Sequence, residues 1–191
     1  MLAVWDNPVR VDRELVNGGL ACPSCGGQLG PWGWARLRDV RAKTPRRLRP
    51  RRSRCRACRG THVLVPTSTL LRRRDAIEVI GAALLAKCAG QGHRRSAAEL
   101  GVPPSTLRGW LRRFAARAED LRSTATAWAH RLDASHPPIQ PRGSPRADAL
   151  EALGLAAAAA IRRFGPRCST WQVIAALTGG LMLARRPLPG R

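Results

Sequence analysis

Four cysteines form two Cys-X-X-Cys pairs, Cys22-Pro-Ser-Cys25 and Cys55-Arg-Ala-Cys58. A Cys-X-X-Cys turn sets two sulfurs on one side of a tight loop. Four thiolates make a closed tetrahedral zinc site, and such a site is structural because it leaves no position open for substrate. The 29 residues between the pairs leave room for a β-hairpin. Gly26 and Gly60 follow the two turns, where a missing Cβ lets the backbone fold around a metal. The pattern therefore predicts one structural Zn2+ held by Cys22, Cys25, Cys55 and Cys58. An iron–sulfur cluster is the alternative for four thiolates, although the glycines and the β-prone surroundings favour zinc. A thioredoxin-like redox pair would need a βαβ pattern, which neither motif has. His62 follows Cys58 by four residues and could replace a ligand; otherwise it is a strand or surface histidine. Cys88 and Cys168 stand alone on apolar segments and read as small hydrophobes packed on helices.

A second constellation spans His93–Arg112, with the sequence HRRSAAELGVPPSTLRGWLR. Ala97 is small where two helices would cross, and Gly101 sits at a turn that requires positive φ. Leu100, Val102, Leu107 and Trp110 form a seam. This is the pattern of a helix-turn-helix, whose second helix enters the DNA major groove. It places Ser105, Thr106 and Arg108 outward at base edges. Arg112 and Arg113 fall further along, at phosphate or the groove edge, and Arg94 and Arg95 reach phosphates from the first helix. Pro103 stands where Ser, Thr or Asp would cap the reading helix.

Charge points to the same partner. The chain carries 34 basic and 12 acidic residues, a net +22, and all but two of the basic residues are Arg. A polyanion is the expected partner, since Arg beside phosphate releases condensed counterions. Residues 22–74 alone carry +14. Arg46, Arg47, Arg49, Arg51, Arg52 and Arg54 therefore read as a phosphate-contacting arm between the cysteine pairs.

The elements that must position these groups suggest an α+β chain in four parts. Residues 1–68 form a small β zinc ribbon with an N-terminal extension. Within it Val4, Val9, Val11 and Leu15 belong to a strand or irregular cover, Trp32–Arg38 to a strand, Lys43–Pro45 to a turn, and Thr61–Val65 to a strand. Residues 69–132 form the helix-turn-helix domain. A helical stripe of Leu70, Ile77, Ile80, Leu84 and Leu85 opens it, and a third helix runs from Pro104 to about Leu132. Residues 133–146 are a Pro-rich, semi-rigid linker. Residues 147–185 form a C-terminal helical hairpin, with helices at about 147–164 and 170–184 split by Gly165-Pro166. Neither helix offers a charge-free span of about 20 residues, so a membrane anchor is not expected.

The order of parts resembles a family of uncharacterised bacterial proteins with a zinc ribbon before a transposase-like helix-turn-helix. The segments that carry the likeness are CPSCGG, a Trp-Gly strand, CRACRGTHVL, LLRRRDAIEVIGAAL and LRGWLRRF, within about residues 4–131, with the Leu-Thr-Gly-Gly stretch at 177–180. The same order is found at the N-terminus of some insertion-sequence transposases. The resemblance implies metal binding by the four cysteines and DNA contact by Arg94, Arg95, Ser105, Thr106 and Arg108. It implies no activity.

The expectation is a sequence-specific DNA-binding protein of transposase-like or transcription-regulator type, bacterial, cytoplasmic and nucleoid-associated. It is not expected to be an enzyme. After Asp120 only Asp133, Asp148 and Glu151 remain as carboxylates, too few and too local for a two-metal nuclease. The alternatives are an RNA-binding ribbon or a recombinase-recruiting accessory protein. Double-stranded DNA is the expected partner, with a homodimer or recombinase contact through residues 147–184.

Overall fold

The computed structural model describes residues 1–135, 138–165 and 168–189. Within them the chain is α+β, with a small mixed sheet followed by a run of helices. The four-stranded sheet has the order β1-β6-β5-β2. Strands β2 (Leu29–Trp34), β5 (Arg51–Cys55) and β6 (Thr61–Pro66) are antiparallel neighbours, and β1 (Leu2–Val4) joins β6 in parallel. A separate hairpin pairs β3 (Arg38–Val40) with β4 (Arg46–Leu48) across the Lys43–Pro45 turn. The arginine arm is therefore folded: it supplies β4 and β5.

One element was not expected. Residues Pro8–Val16 form helix α1, where the sequence suggested a strand or irregular cover. Asn7 caps it, its side-chain oxygen accepting the Arg10 N–H at 3.0 Å, and Pro8 stands at a first-turn position that needs no donor. Val11 and Leu15, four residues apart, turn inward and pack with Val4, Leu29, Leu64, Cys22 and Cys55. So few aliphatic residues make a slight core, the kind that small domains supplement with a metal.

The larger core is helical. Helices α2 (Ile77–Cys88), α3 (His93–Glu99), α4 (Pro104–Ala115), α5 (Ala118–Leu132), α6 (Pro145–Phe164) and α7 (Thr170–Leu177) contribute to one continuous cluster. It includes Ile80, Leu107, Trp110, Phe114, Leu121 and Leu153, together with Val40 from the hairpin. Helix α6 lies along α5, and Ala149, Ala152, Ala156 and Ala160 are buried on it. Small side chains let helix axes approach closely. The Pro-rich stretch thus joins two helices of one core, and Ile139 packs onto that core. His136 and Pro137 of that stretch, and Pro166 of the expected hairpin break, lie outside the described residues.

Three helix boundaries differ from expectation. Helix α2 begins at Ile77, not at Leu70 where the expected stripe opens, because residues 67–76 are held by β-like contacts: Arg41 exchanges backbone hydrogen bonds with Arg74 and Ala76, and Ile77 N–H reaches Ser68 O. The helix expected from Pro104 to about Leu132 is two helices, broken at Arg117. The Arg117 guanidinium donates to the carbonyls of Leu181 and Ala184 and to Asp120, tying the break to the C-terminal turn. Helix α7 stops at Leu177 instead of running to 184, since Gly179 and Gly180 adopt φ 58° and 71°. Among the described residues no helix is long and apolar enough to cross a membrane.

Candidate metal centre and nucleic-acid interface

The two cysteine turns face each other across the β2–β5 end of the sheet. Each is closed the same way: Cys22 N–H donates to Gly27 O at 2.7 Å, and Cys55 N–H to Gly60 O at 2.9 Å. All four sulfurs lie within 4.8 Å of one another. Cys22 and Cys58 are 3.8 Å apart and Cys25 and Cys55 3.5 Å, with none in a disulfide. A tetrahedron with metal–sulfur bonds of about 2.3 Å has edges of about 3.8 Å. The donor set therefore fits a four-thiolate structural metal site. The space is tight at Gly27, where a Cβ would stand 2.9 Å from the Ala57 Cβ and 3.2 Å from the Cys55 sulfur.

The protons of the quartet are unevenly held. The Ser24 amide donates to Cys22 Sγ at 3.4 Å and, against the opposing effect of burial, brings that thiol down to about 6. For Cys55, burial favours the thiol, but the amides of Cys58 and Ala57 outweigh it and lower the group. Cys58 goes the other way. Its Gly60 amide favours the thiolate, yet the neighbouring sulfurs of Cys25 and Cys55 push it up to about 11. This is a set that cannot hold four negative charges without a cation among them.

His62 is a strand histidine and stands outside the cysteine quartet. It is buried on β6, with Nε2 3.3 Å from Cys22 Sγ. A ring nitrogen so placed supports a metal-bound sulfur from outside. Cys168 packs against the helical core from the segment before α7, whereas Cys88 is exposed at the end of α2, contrary to the expectation that it packs as a hydrophobe.

The α3–α4 unit carries the features the sequence required of it. Ala97 is fully buried, Gly101 has φ 62°, and Val102, Leu107 and Trp110 are buried, while Leu100 is partly so. No side chain caps α4, where Pro103 occupies the cap position. Ser105, Arg108, Arg112 and Arg113 are exposed and Thr106 is half-buried. Arg94 is exposed, and Arg95 is drawn to Glu99 at 3.0 Å.

The arginine arm is partly engaged within the chain. Arg46 pairs with Asp6 at 3.5 Å and Arg47 with Asp39 at 3.7 Å. Arg51 donates to Asp12 at 2.6 Å and lies 4.3 Å over the Trp34 ring. Arg54 stacks 4.6 Å over Trp32 and donates to Arg59 O. The Arg49 and Arg52 side chains make no hydrogen bond or ion pair among the described residues.

The sequence reading missed a different run of arginines. Arg72, Arg73 and Arg74, with Arg41, face Ser105, Thr106 and Gly109 of α4 across a cleft of about 560 Å³. The signal was present as LRRRD, but it lay inside a segment assigned to a helix. Asp75 sits at the base, 3% exposed and 3.3 Å from Arg41. Burial pushes its carboxyl up, against the pull of Arg41, Arg74 and Arg73.

No protein family, curated protein or solved structure matches the chain.

Proposed function

We propose that this chain is a zinc-organised, sequence-specific DNA-binding protein of transposase-like or transcription-regulator type, with no catalytic domain of its own. The observation that carries the reading is the division of α4. Leu107, Trp110, Leu111 and Phe114 are buried on one side, while Ser105, Arg108, Arg112 and Arg113 are exposed on the other. A helix of that kind, joined to α3 by a tight glycine turn, has the form of a helix-turn-helix reader. The exposed side presents four groups that donate hydrogen bonds and no carboxylate, which suits base edges and phosphates.

Zinc is the metal that best suits four thiolates in two β-knuckles. In this reading it organises the sheet as a zinc ribbon and takes no part in reading sequence. The late carboxylates are used locally: Asp133 and Glu151 pair with Arg162 and Arg142, and Asp148 accepts the Arg142 amide.

An RNA-binding role is the second reading. It is favoured by Trp32 and Trp34, which are 48% and 43% exposed on β2 beneath stacked arginines and could receive unpaired bases. Binding of the full chain to duplex DNA and to structured RNA at about 150 mM salt separates the two. The DNA reading requires tighter duplex binding that weakens in Thr106→Ala and Arg108→Ala. Tighter RNA binding, indifferent to those substitutions, would overturn it.

A further inference from the structure

Six guanidinium groups converge on the cleft beside α4: Arg41, Arg72, Arg73, Arg74, Arg112 and Arg113. Asp75 is the one carboxylate lining it, and it is engaged by Arg41. Such a gathering of like charge is self-repulsive and attracts a polyanion. Arg73 shows the imbalance most directly. Its Nε is buried without a hydrogen-bond partner, and Arg113 adds repulsion.

A second observation comes from the backbone. Arg72 sits at φ 61°, in the left-handed region that a residue with a Cβ enters at a cost. The turn is closed by the Arg73 N–H to Leu70 O at 3.1 Å. Glycine would relieve the strain, yet an arginine is held there, projecting charge beside α4. The uncapped, positive end of α4 opens on the same cleft.

We propose that Arg72, Arg73 and Arg74 form a phosphate clamp that seats the DNA backbone against the first turns of α4. The proposal rests on the duplex-binding reading above and relocates its main phosphate contact. The expected arm on β4 and β5 spends Arg46, Arg51 and Arg54 on Asp6, Asp12 and Trp32, whereas among the described residues lining the cleft Asp75 is the one acidic side chain that faces the clamp.

The test is binding of the full chain to a random-sequence duplex pool between about 50 and about 300 mM salt, a range in which phosphate contacts are counted by the salt slope. Wild type is compared with Arg72→Gly and with the double variant Arg72→Gly, Arg74→Gln. The slope of log affinity against log salt should fall by about 0.9 per arginine removed. Affinity near 0.15 M salt should fall about fivefold per contact, which follows from that slope. The thermal midpoint of Arg72→Gly should be no lower than wild type, since the strain is released. Wild-type binding with unchanged slope and affinity in the variants would overturn the clamp and leave the DNA reading standing. A lowered midpoint in Arg72→Gly would make Arg72 a structural residue and overturn the clamp too. Wild type that binds no duplex at any salt would remove both.

Discussion

Arg59 holds in the second cysteine turn the backbone position that Gly26 holds in the first, at φ 61° against 73°. Both residues follow the second cysteine of their pair, and both turns need the left-handed bend to bring the chain back toward the metal site. Only the first turn has the residue suited to it. The sequence pointed to Gly26 and Gly60, but Gly60 has no positive φ, and a Cβ there would meet the Cys58 sulfur at an ordinary 3.4 Å. Arg59→Gly should therefore stabilise the metal-loaded protein by about 1 kcal/mol, the cost a Cβ carries in this conformation. Gly26→Ala should destabilise it by a similar amount. Paired thermal unfolding curves measure both, and a destabilised Arg59→Gly would refute the argument.

Metal removal is the next expectation. A strong chelator should unfold the sheet while the helical core, which has its own large cluster, keeps its helical signal. Cys25→Ser should drop the metal content from one ion per chain to near zero. Full occupancy in that variant would break the four-thiolate assignment.

Proton release gives a pH prediction. Metal binding displaces every thiol proton still held. With the ion removed the sheet is unfolded, and unfolded cysteine thiols titrate at about 8.5. Binding at pH 7 should thus release close to four protons, and affinity should weaken steeply as pH falls. Calorimetry in buffers of different ionisation enthalpy counts the protons. A count nearer three at pH 7 would show that the metal-free sheet stays folded and keeps the lowered Cys22 thiol.

Gly81 lies inside α2, where alanine is ordinarily the better helix former. Here a Cβ would stand 2.1 Å from Cε2 of the Trp171 ring on α7. Gly81→Ala should accordingly lower stability by about 1–3 kcal/mol, the usual cost of overpacking. Trp171→Leu should recover part of that loss. A stabilised single variant would show that α7 yields freely.

Arg51 and Arg49 separate structural from exposed arginines on the arm. Arg51 is 16% exposed, bonded to Asp12 at 2.6 Å and stacked on Trp34. Arg51→Ala should cost about 1–2 kcal/mol of stability, from one charge-assisted hydrogen bond and one cation–π contact partly open to water. Arg49→Ala should leave stability within about 0.5 kcal/mol, as exposed substitutions do. Urea midpoints compare the two.

Features whose causes are local in sequence were readable. The cysteine quartet follows from spacing, and the α3–α4 turn follows from Ala97, Gly101 and the apolar seam. Strand β6 follows from its composition, whereas the strand expected at Trp32–Arg38 overlaps β2 only at Trp32–Trp34, because β2 runs from Leu29 to pair with β5. What escaped had distant causes. The break at Arg117 has no Pro or Gly; it comes from carbonyls more than sixty residues away, at Leu181 and Ala184. The late start of α2 depends on backbone bonds from Arg41. Helix α1 is the exception, because Asn7-Pro8 is a local start signal that went unused beside the β-prone valines. The arginine cleft was hidden for the same non-local reason: Arg41 and Arg72–Arg74 meet α4 only in three dimensions.

The parallel pairing of Leu2–Val4 with Leu64–Pro66 has a temporal consequence. A chain synthesised from its N-terminus makes Cys58, the last of the four cysteines, before it makes the strand that β1 must join. Metal capture can precede closure of the sheet, and β1 must wait for some sixty residues to emerge. The earliest-made strand of the sheet is thus among the last to dock, leaving metal supply to decide whether the nascent chain has a surface ready to receive it.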